Sequence, residues 1–518
     1  MSGKYRAGAL NRNEKENNHA TKAPNLSLVL LALILSQTAC GAEQQGTADT
    51  DAQTSADDTG TTDETTTVGF EYPDVNYDGA EFRILNFDQL WNMYIHLDSP
   101  EIDGEVLNDA VYARNRKVEQ KLGCKIVEKT FENDTANTLS RITDHAKTSI
   151  MSGEDEYDVM MLPVSEAPDL ITGGYLQDLK SMPEFKFDGE WWDQEIIGAT
   201  TFDNRLYFAS GAANLMAFDS MWCLFFNENM AENHQLDMPY DLVREGKWTI
   251  DEATKYAKAV ANLNGDESWK WSKDGKCVYG ISSHQNSPEH FWFSAGEFTL
   301  DVDKKGEPKF ILGSDRFYGV MDKLAVLLDG KEGTTLKANN TDFDADNGGY
   351  VYVFTTGRSF FMTGEIKAAQ LMRDMTDTFG IVPFPKYDES QTQYYTSLVS
   401  QLFYMTIPST NTNTSRTATI YEALTHESYL SVIPTYYSNV VEQKGLRNED
   451  SIDMLEIMRQ TRAVDVATIF NWSSNLRSTL NTKLFNGNSQ VASDIAAQQT
   501  KVEASMQKFF DFLAEQNG

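Results

Sequence analysis

The feature that most constrains this chain is the order of its hydrophobic periods between residues 81 and 163. Glu81-Phe-Arg-Ile-Leu-Asn-Phe87 alternates in the manner of a strand and then meets polar Asp88 and Gln89, where a loop would begin. From Gly104 to Leu122 the period changes: Leu107, Val111, Val118 and Leu122 recur at spacings of four, seven and four, and Gly123 follows as a C-terminal cap. Cys124 to Phe131 alternates again, and Tyr157 to Pro163 is a near-continuous apolar run of the kind covered on both faces. Strand, helix, strand and strand in this order predict an α/β fold on a largely parallel sheet.

The same pattern resumes after residue 205, with an apolar stretch from Leu215 to Asn227 and a helix from Thr249 to Asn262. Thr249 is its predicted N-cap, with Glu252 as the third helical residue. Ser359 to Thr363, Phe379 to Pro385 and Gln401 to Ile407 read as further strands, and Ile495, Val502, Met506, Phe509 and Leu513 fall on one face of a terminal helix. A chain of 518 residues exceeds what one core supports. Two lobes are therefore expected, 70–210 with 384–430 and 211–383 with 431–518, and two lobes imply a cleft.

The N-terminus reads as an address. Lys4, Arg6, Arg12, Lys15 and Lys22 precede the apolar run Leu26 to Leu35, whose ten residues would cover about 15 Å as a helix against a hydrocarbon core of about 30 Å. That is a signal peptide over 1–39 rather than a membrane span. Ser36-Gln-Thr-Ala-Cys40-Gly41 resembles a bacterial lipobox with Cys40 as lipid acceptor, although Gln37 departs from the usual aliphatic residue. Residues 40–69 then form a tether, poor in large apolar side chains and too polar to offset the entropy of ordering. Cys124, Cys223 and Cys277 remain for the folded part, an odd number best read as buried thiols.

Charge and motif content exclude several functions. With 44 Lys and Arg against 77 Asp and Glu, the net charge of −33 repels phosphate backbones, so no nucleic-acid partner is expected. The sequence holds no G-x-S-x-G elbow, H-E-x-x-H pair, phosphate-binding P-loop or C-x-x-C. His284 and His290 are six apart and do not share a helix face, so no metal is expected there. Glu154 and Asp155 belong to a polar loop, and Asn262 to Ser268 reads as a plain turn, since a calcium loop beginning there would have Lys273 where a bidentate Glu belongs. No cofactor and no enzymatic activity are expected.

What the chain does offer is aromatic rings interleaved with polar residues, the mixture that sugar rings need for their C–H faces and hydroxyl rims. Examples are Phe87 to Trp91, Gly189 to Asp193, Ala213 to Trp222, His284 to Trp292, Tyr436-Tyr437 and Phe470 to Trp472. Gly104 to Ile126, Leu224 to Met230 with Glu245 to Asp251, Gly380 to Asp388, and Arg447 to Leu455 together resemble family one extracellular solute-binding proteins of anaerobic Gram-positive bacteria. The resemblance spans nearly all of 75–518. It implies two lobes of the periplasmic-binding-protein type, joined by crossing strands that close over a ligand without catalysis. By position it assigns ligand contacts to Asp88, Trp91, Ser165, Asn214, Asp219, His284, Trp292, Thr363, Glu365 and Trp472.

The resulting expectation is a monomeric lipoprotein on the outer face of the cell membrane, touching that membrane only through its lipid anchor. It would capture a small polar ligand, an oligosaccharide by this reading, and pass it to the permease subunits of an ABC importer. A secreted glycoside hydrolase and a peptide-binding or adhesive surface lipoprotein are the rival readings.

Overall fold

The computed structural model describes residues 69–87, 96–131, 138–215, 218, 220–302, 308–338, 349–398, 402–443 and 449–516. The signal peptide, Cys40 and all but the last residue of the tether lie outside them, as do Asp88, Trp91 and Asp219. The described residues belong to one compact unit spanning Thr66–Gly518.

The first sheet is built from the segment that the periodicity singled out. Strands β1 (Ala80–Phe87), β2 (Cys124–Phe131) and β3 (Val159–Pro163) run parallel about central β1, which pairs with β2 in unbroken register from Ala80↔Cys124 to Phe87↔Phe131. Between β1 and β2 stands the predicted helix, Val106–Leu122. The Glu105 carboxylate caps it by accepting from the amides of Leu107 and Asn108, and Gly123 ends it at φ 63°, a conformation that costs a side-chain-bearing residue more than glycine. Leu107, Val111, Val118 and Leu122 are buried, as expected, and so are Arg114 and Asn115. Arg114 remains tolerable there because it donates to Asn115 Oδ1, to Ser428 Oγ at 2.7 Å and to the Leu97 carbonyl.

The second sheet is mixed. Its strands are β4 (Trp222–Asn227), β5 (Tyr279–His284), β8 (Thr335–Ala338), β9 (Ser359–Glu365) and β10 (Phe379–Val382), in the order β10-β4-β9-β5-β8; β6 (Leu300–Val302) and β7 (Pro308–Phe310) form a separate ribbon. β5 is parallel to β8 and β9, whereas β4 is antiparallel to β9 and β10. Among the described residues of the apolar stretch 215–227, only the last six are strand. β10 stops at Val382, ahead of Pro383 and Pro385, which have no N–H for a ladder. The helix Ile250–Val260 starts as expected, with Thr249 Oγ1 accepting from the Glu252 amide. The terminal helix Ala492–Glu515 buries all five residues of its predicted face.

The chain passes between the sheets along strands that run side by side. One crossing holds Ala209 and Met221, ahead of β4; the other holds Ser397 and Leu398, ahead of β11 (Phe403–Thr406), which joins β3 antiparallel. Ala209 pairs with Met405 and Met221 with Leu398, both antiparallel, and the Trp222 amide donates to the Ser397 carbonyl at 3.0 Å. Gly211 sits where this crossing meets Trp191 and Thr425, with no room for a Cβ. A single π-helical turn, Ser428–Val432, links the helices Thr414–Glu427 and Ile433–Gln443. Pro434 lacks the N–H that would otherwise reach back four residues, which accounts for the break in α-helical bonding there.

Cys124, Cys223 and Cys277 are all buried and unpaired, in keeping with their reading as thiols. The Asn262 to Ser268 segment is a turn whose Asp266 carboxylate accepts from the amides of Lys276 and Cys277. Among the described residues no helix is long and apolar enough to cross a membrane.

Candidate functional site

A cavity of about 40 Å³ lies beside the crossing segments, against β11 of the first sheet. From the first sheet come Val164, just after β3, with Leu402 and Tyr404 from the segment entering and forming β11. From the other side come Glu289, His290, Trp292 and Phe293 of the helix Pro288–Ser294, which follows β5. Ser397 and Leu398 of the crossing, the stretch Ala463–Asp465 and Arg477 complete the walls.

Each charged group in this cavity is answered locally. Arg477 Nη1 meets Glu289 Oε1 at 2.9 Å, and Asn481 Nδ2 donates to Glu289 Oε2 at 3.2 Å. Asp465 accepts from the Thr299 amide through Oδ2 and from the Ala467 amide through Oδ1, both at 3.0 Å; burial nonetheless pushes its carboxyl above the usual range. His290 lies flat against Trp222 with ring centroids 4.0 Å apart, and its Nδ1 shares a 2.7 Å hydrogen bond with Ser397 Oγ. Burial first, then the Arg477 charge, holds its imidazole well below its ordinary value, so it is neutral near pH 7. Aromatic faces, neutral hydrogen-bonding groups and charges already compensated suit a polar ligand without net charge.

The residues assigned by resemblance are distributed around this cavity rather than collected in it. Trp292 lines it, and half-buried Ser165 follows Val164 in the turn after β3. His284, Thr363 and Glu365 stand together one row behind, at the neighbouring ends of β5 and β9. Thr363 Oγ1 accepts from the His284 amide at 3.1 Å and bonds Ser287 Oγ at 2.6 Å, and Glu365 pairs with Lys367 at 2.6 Å. Trp222, opposite Glu365 in register, separates this row from the cavity through its stack on His290. Asn214 is buried and braces the crossing, its amide donating to the Phe403 carbonyl at 2.7 Å. Trp472 is packed against Phe470 and Phe509, at 4.8 and 5.7 Å between centroids, within the core beside the terminal helix. Tyr404, His290, Glu289 and Arg477 were not singled out as ligand contacts from the sequence; Glu289 and His290 lay inside a quoted aromatic run, and nothing in the sequence near Arg477 marks it.

No family model matches the sequence, and no curated protein matches it. Solved structures do. The galacto-N-biose- and lacto-N-biose I-binding protein of an ABC transporter from Bifidobacterium longum, in complex with lacto-N-biose, superposes with a TM-score of 0.54 at 13% identity, covering 83% of this chain and 98% of that one. A sugar transporter from Rhizobium etli in an open conformation gives 0.53 at 12% identity, covering 83% and 99%. An ABC substrate-binding protein from Listeria monocytogenes in complex with cycloalternan gives 0.50 at 14% identity, covering 84% and 100%. At such identity the likeness speaks for architecture: this chain has the two-lobe, periplasmic-binding-protein-like α/β fold with crossing strands.

Proposed function

We propose that this chain is an extracellular solute-binding lipoprotein, anchored through Cys40, that captures a neutral oligosaccharide and presents it to the permease of an ABC importer. The observation that carries the reading is the cavity at the strand crossing, walled by β11 of the first sheet on one side and by the helix that follows β5 of the second on the other. In this proposal 70–210 with 384–430 and 211–383 with 431–518 are the moving halves, and ligand shifts the balance of open and closed forms by touching both. A binding role is further supported by the two carboxylates of the cavity. Both oxygens of Glu289 and both of Asp465 are engaged by protein partners, whereas hydrolysis of a glycosidic bond needs one carboxyl free to give a proton and another free to assist attack. Asp88, Trp91 and Asp219 are proposed as further ligand contacts.

The test is a thermal-shift screen with lacto-N-biose, cycloalternan and maltotetraose, followed by mass spectrometry of the recovered glycan. Saturation at a hundred times Kd stabilises the ligand-bound fold by about 2.7 kcal/mol. A shift with intact glycan supports the proposal. Released product would make the protein a hydrolase, and no shift with any member would remove the oligosaccharide reading.

A further inference from the structure

Beside the cavity, at the same crossing, four side chains converge with hydrogen-bonding capacity that no described residue uses. Tyr404 is 1% exposed and stacks on Phe208, yet its hydroxyl has no partner among the described residues. Asp193 caps the helix Gln194–Thr200 through Oδ1, while its Oδ2 faces Arg462 Nη1 at 3.1 Å as an ion pair that lies off the hydrogen-bonding direction. Arg462 Nε is also buried without a partner, and its guanidinium lies 5.3 Å over the ring of Phe218. Tyr437 stands edge-on to the same ring, half-buried overall but with its hydroxyl covered and unpartnered. These groups share one neighbourhood, because the charges of both Asp193 and Arg462 act on each of the two tyrosine hydroxyls.

Buried polar atoms without partners are costly, and a folded chain rarely gathers several in one place unless something completes them. Tyr404 lines the cavity, as does Ala463, the residue after Arg462, so the cluster adjoins the cavity through Tyr404 while Asp193, Arg462 and Tyr437 stand outside its lining. We infer that Asp193, Tyr404, Tyr437 and Arg462 form a subsite that takes a vicinal diol of the ligand, an inference that rests on the binding role proposed above. One hydroxyl of such a diol donates to Asp193 Oδ2 while its oxygen accepts from Arg462 Nε–H, and the neighbouring hydroxyl meets the tyrosine O–H groups. Phe218 and the Tyr437 ring offer apolar surface to the C–H face of the same ring. Because the carboxylate and the guanidinium neutralise each other, the subsite favours an uncharged diol over a sugar acid or an amino sugar.

The experiment is isothermal titration of wild type, Tyr404→Phe, Tyr437→Phe and Tyr421→Phe with lacto-N-biose, cycloalternan and maltotetraose, with the melting temperature of each ligand-free variant recorded alongside. Tyr421 is the control: its hydroxyl is also buried with no partner among the described residues, but it sits on the helix Thr414–Glu427 and is no member of the cluster. The inference expects Tyr404→Phe and Tyr437→Phe to weaken binding about tenfold or more each, with ligand-free melting unchanged or raised and Tyr421→Phe binding as wild type does. Wild-type affinity in both Tyr404→Phe and Tyr437→Phe would mean that the subsite holds water only, and overturns the inference while leaving the binding role standing. A lowered melting temperature of the ligand-free variants would show the hydroxyls to be structural, and overturns it equally. If wild type binds none of the three glycans, the binding role as proposed fails and the inference fails with it.

Discussion

Two buried polar clusters flank the segment Trp191-Trp192-Asp193, and they differ in whether the protein completes them. On one side the Glu422 carboxylate accepts from the Trp191 indole at 2.7 Å, the Trp192 indole at 3.0 Å and the Lys186 amide at 3.2 Å. On the other, Asp193 and Arg462 face two tyrosine hydroxyls with donors and acceptors left over. The first cluster fastens the helix Thr414–Glu427 to the loop 186–192, a purely internal task. The second adjoins a cavity through Tyr404. Satisfied polar groups rigidify a fold; unsatisfied ones beside a cleft are available to a ligand.

Truncations measure that contrast, and Trp472→Ala sets the upper end of the scale. With its ring covered by Phe470 and Phe509, removal leaves a core cavity and is expected to cost about 3–5 kcal/mol in urea unfolding. A near-zero cost together with weakened glycan binding would instead return Trp472 to the ligand site. Glu422→Leu comes next: it strands two indole N–H groups and one amide, and about 2–3 kcal/mol of destabilisation is expected. Should the loss be negligible, the satisfied cluster is no more structural than its neighbour and the contrast collapses.

Acid and base distinguish the regions further. Burial raises the Glu422 carboxyl to about 7, against the opposing pull of its three N–H donors. An acid whose folded pKa is raised binds more proton in the native state, so its contribution is complete below about 4.5 and is lost as pH rises through about 7. Glu422→Gln does not titrate and should gain on wild type over that interval, as read by unfolding free energies at successive pH values. His284 has the opposite sign. Burial lowers its imidazole from 6.5 to about 4, so the unfolded chain binds the extra proton and stability falls as pH drops from 6.5 towards 4. His284→Gln should flatten that decline in part, since neighbouring His290, also held low, continues to titrate. The unsatisfied side has the opposite sign: Tyr404→Phe removes a buried hydroxyl that nothing described engages, so ligand-free stability should not fall and should rise by up to about 1 kcal/mol.

Much of the first sheet was legible in the sequence because its signals are local. Leu107, Val111, Val118 and Leu122 define a helix face without reference to any distant residue, and Gly123 marks its end. β5 was missed because Tyr-Gly-Ile-Ser-Ser-His has little apolar contrast; it is a strand through its pairing with β8 and β9. β8, the edge strand Thr-Leu-Lys-Ala, was missed for the same reason. The cavity was less legible still. Trp292 stood out as an aromatic among polar residues, but Tyr404 was hidden in a strand-like run, and only the approach of β3, more than 240 positions away, turns it towards the cleft. Thr363 and Asn214 were chosen as ligand contacts, yet both already bond within the protein, which a sequence cannot report because their partners, Ser287 and Phe403, are remote in the chain.

The central claim is that two halves close over one guest at the strand crossing. Small-angle X-ray scattering of the protein with and without the glycan that raises its melting temperature tests this most directly. The account predicts a smaller radius of gyration at saturation. An identical scattering profile with and without bound glycan would contradict it.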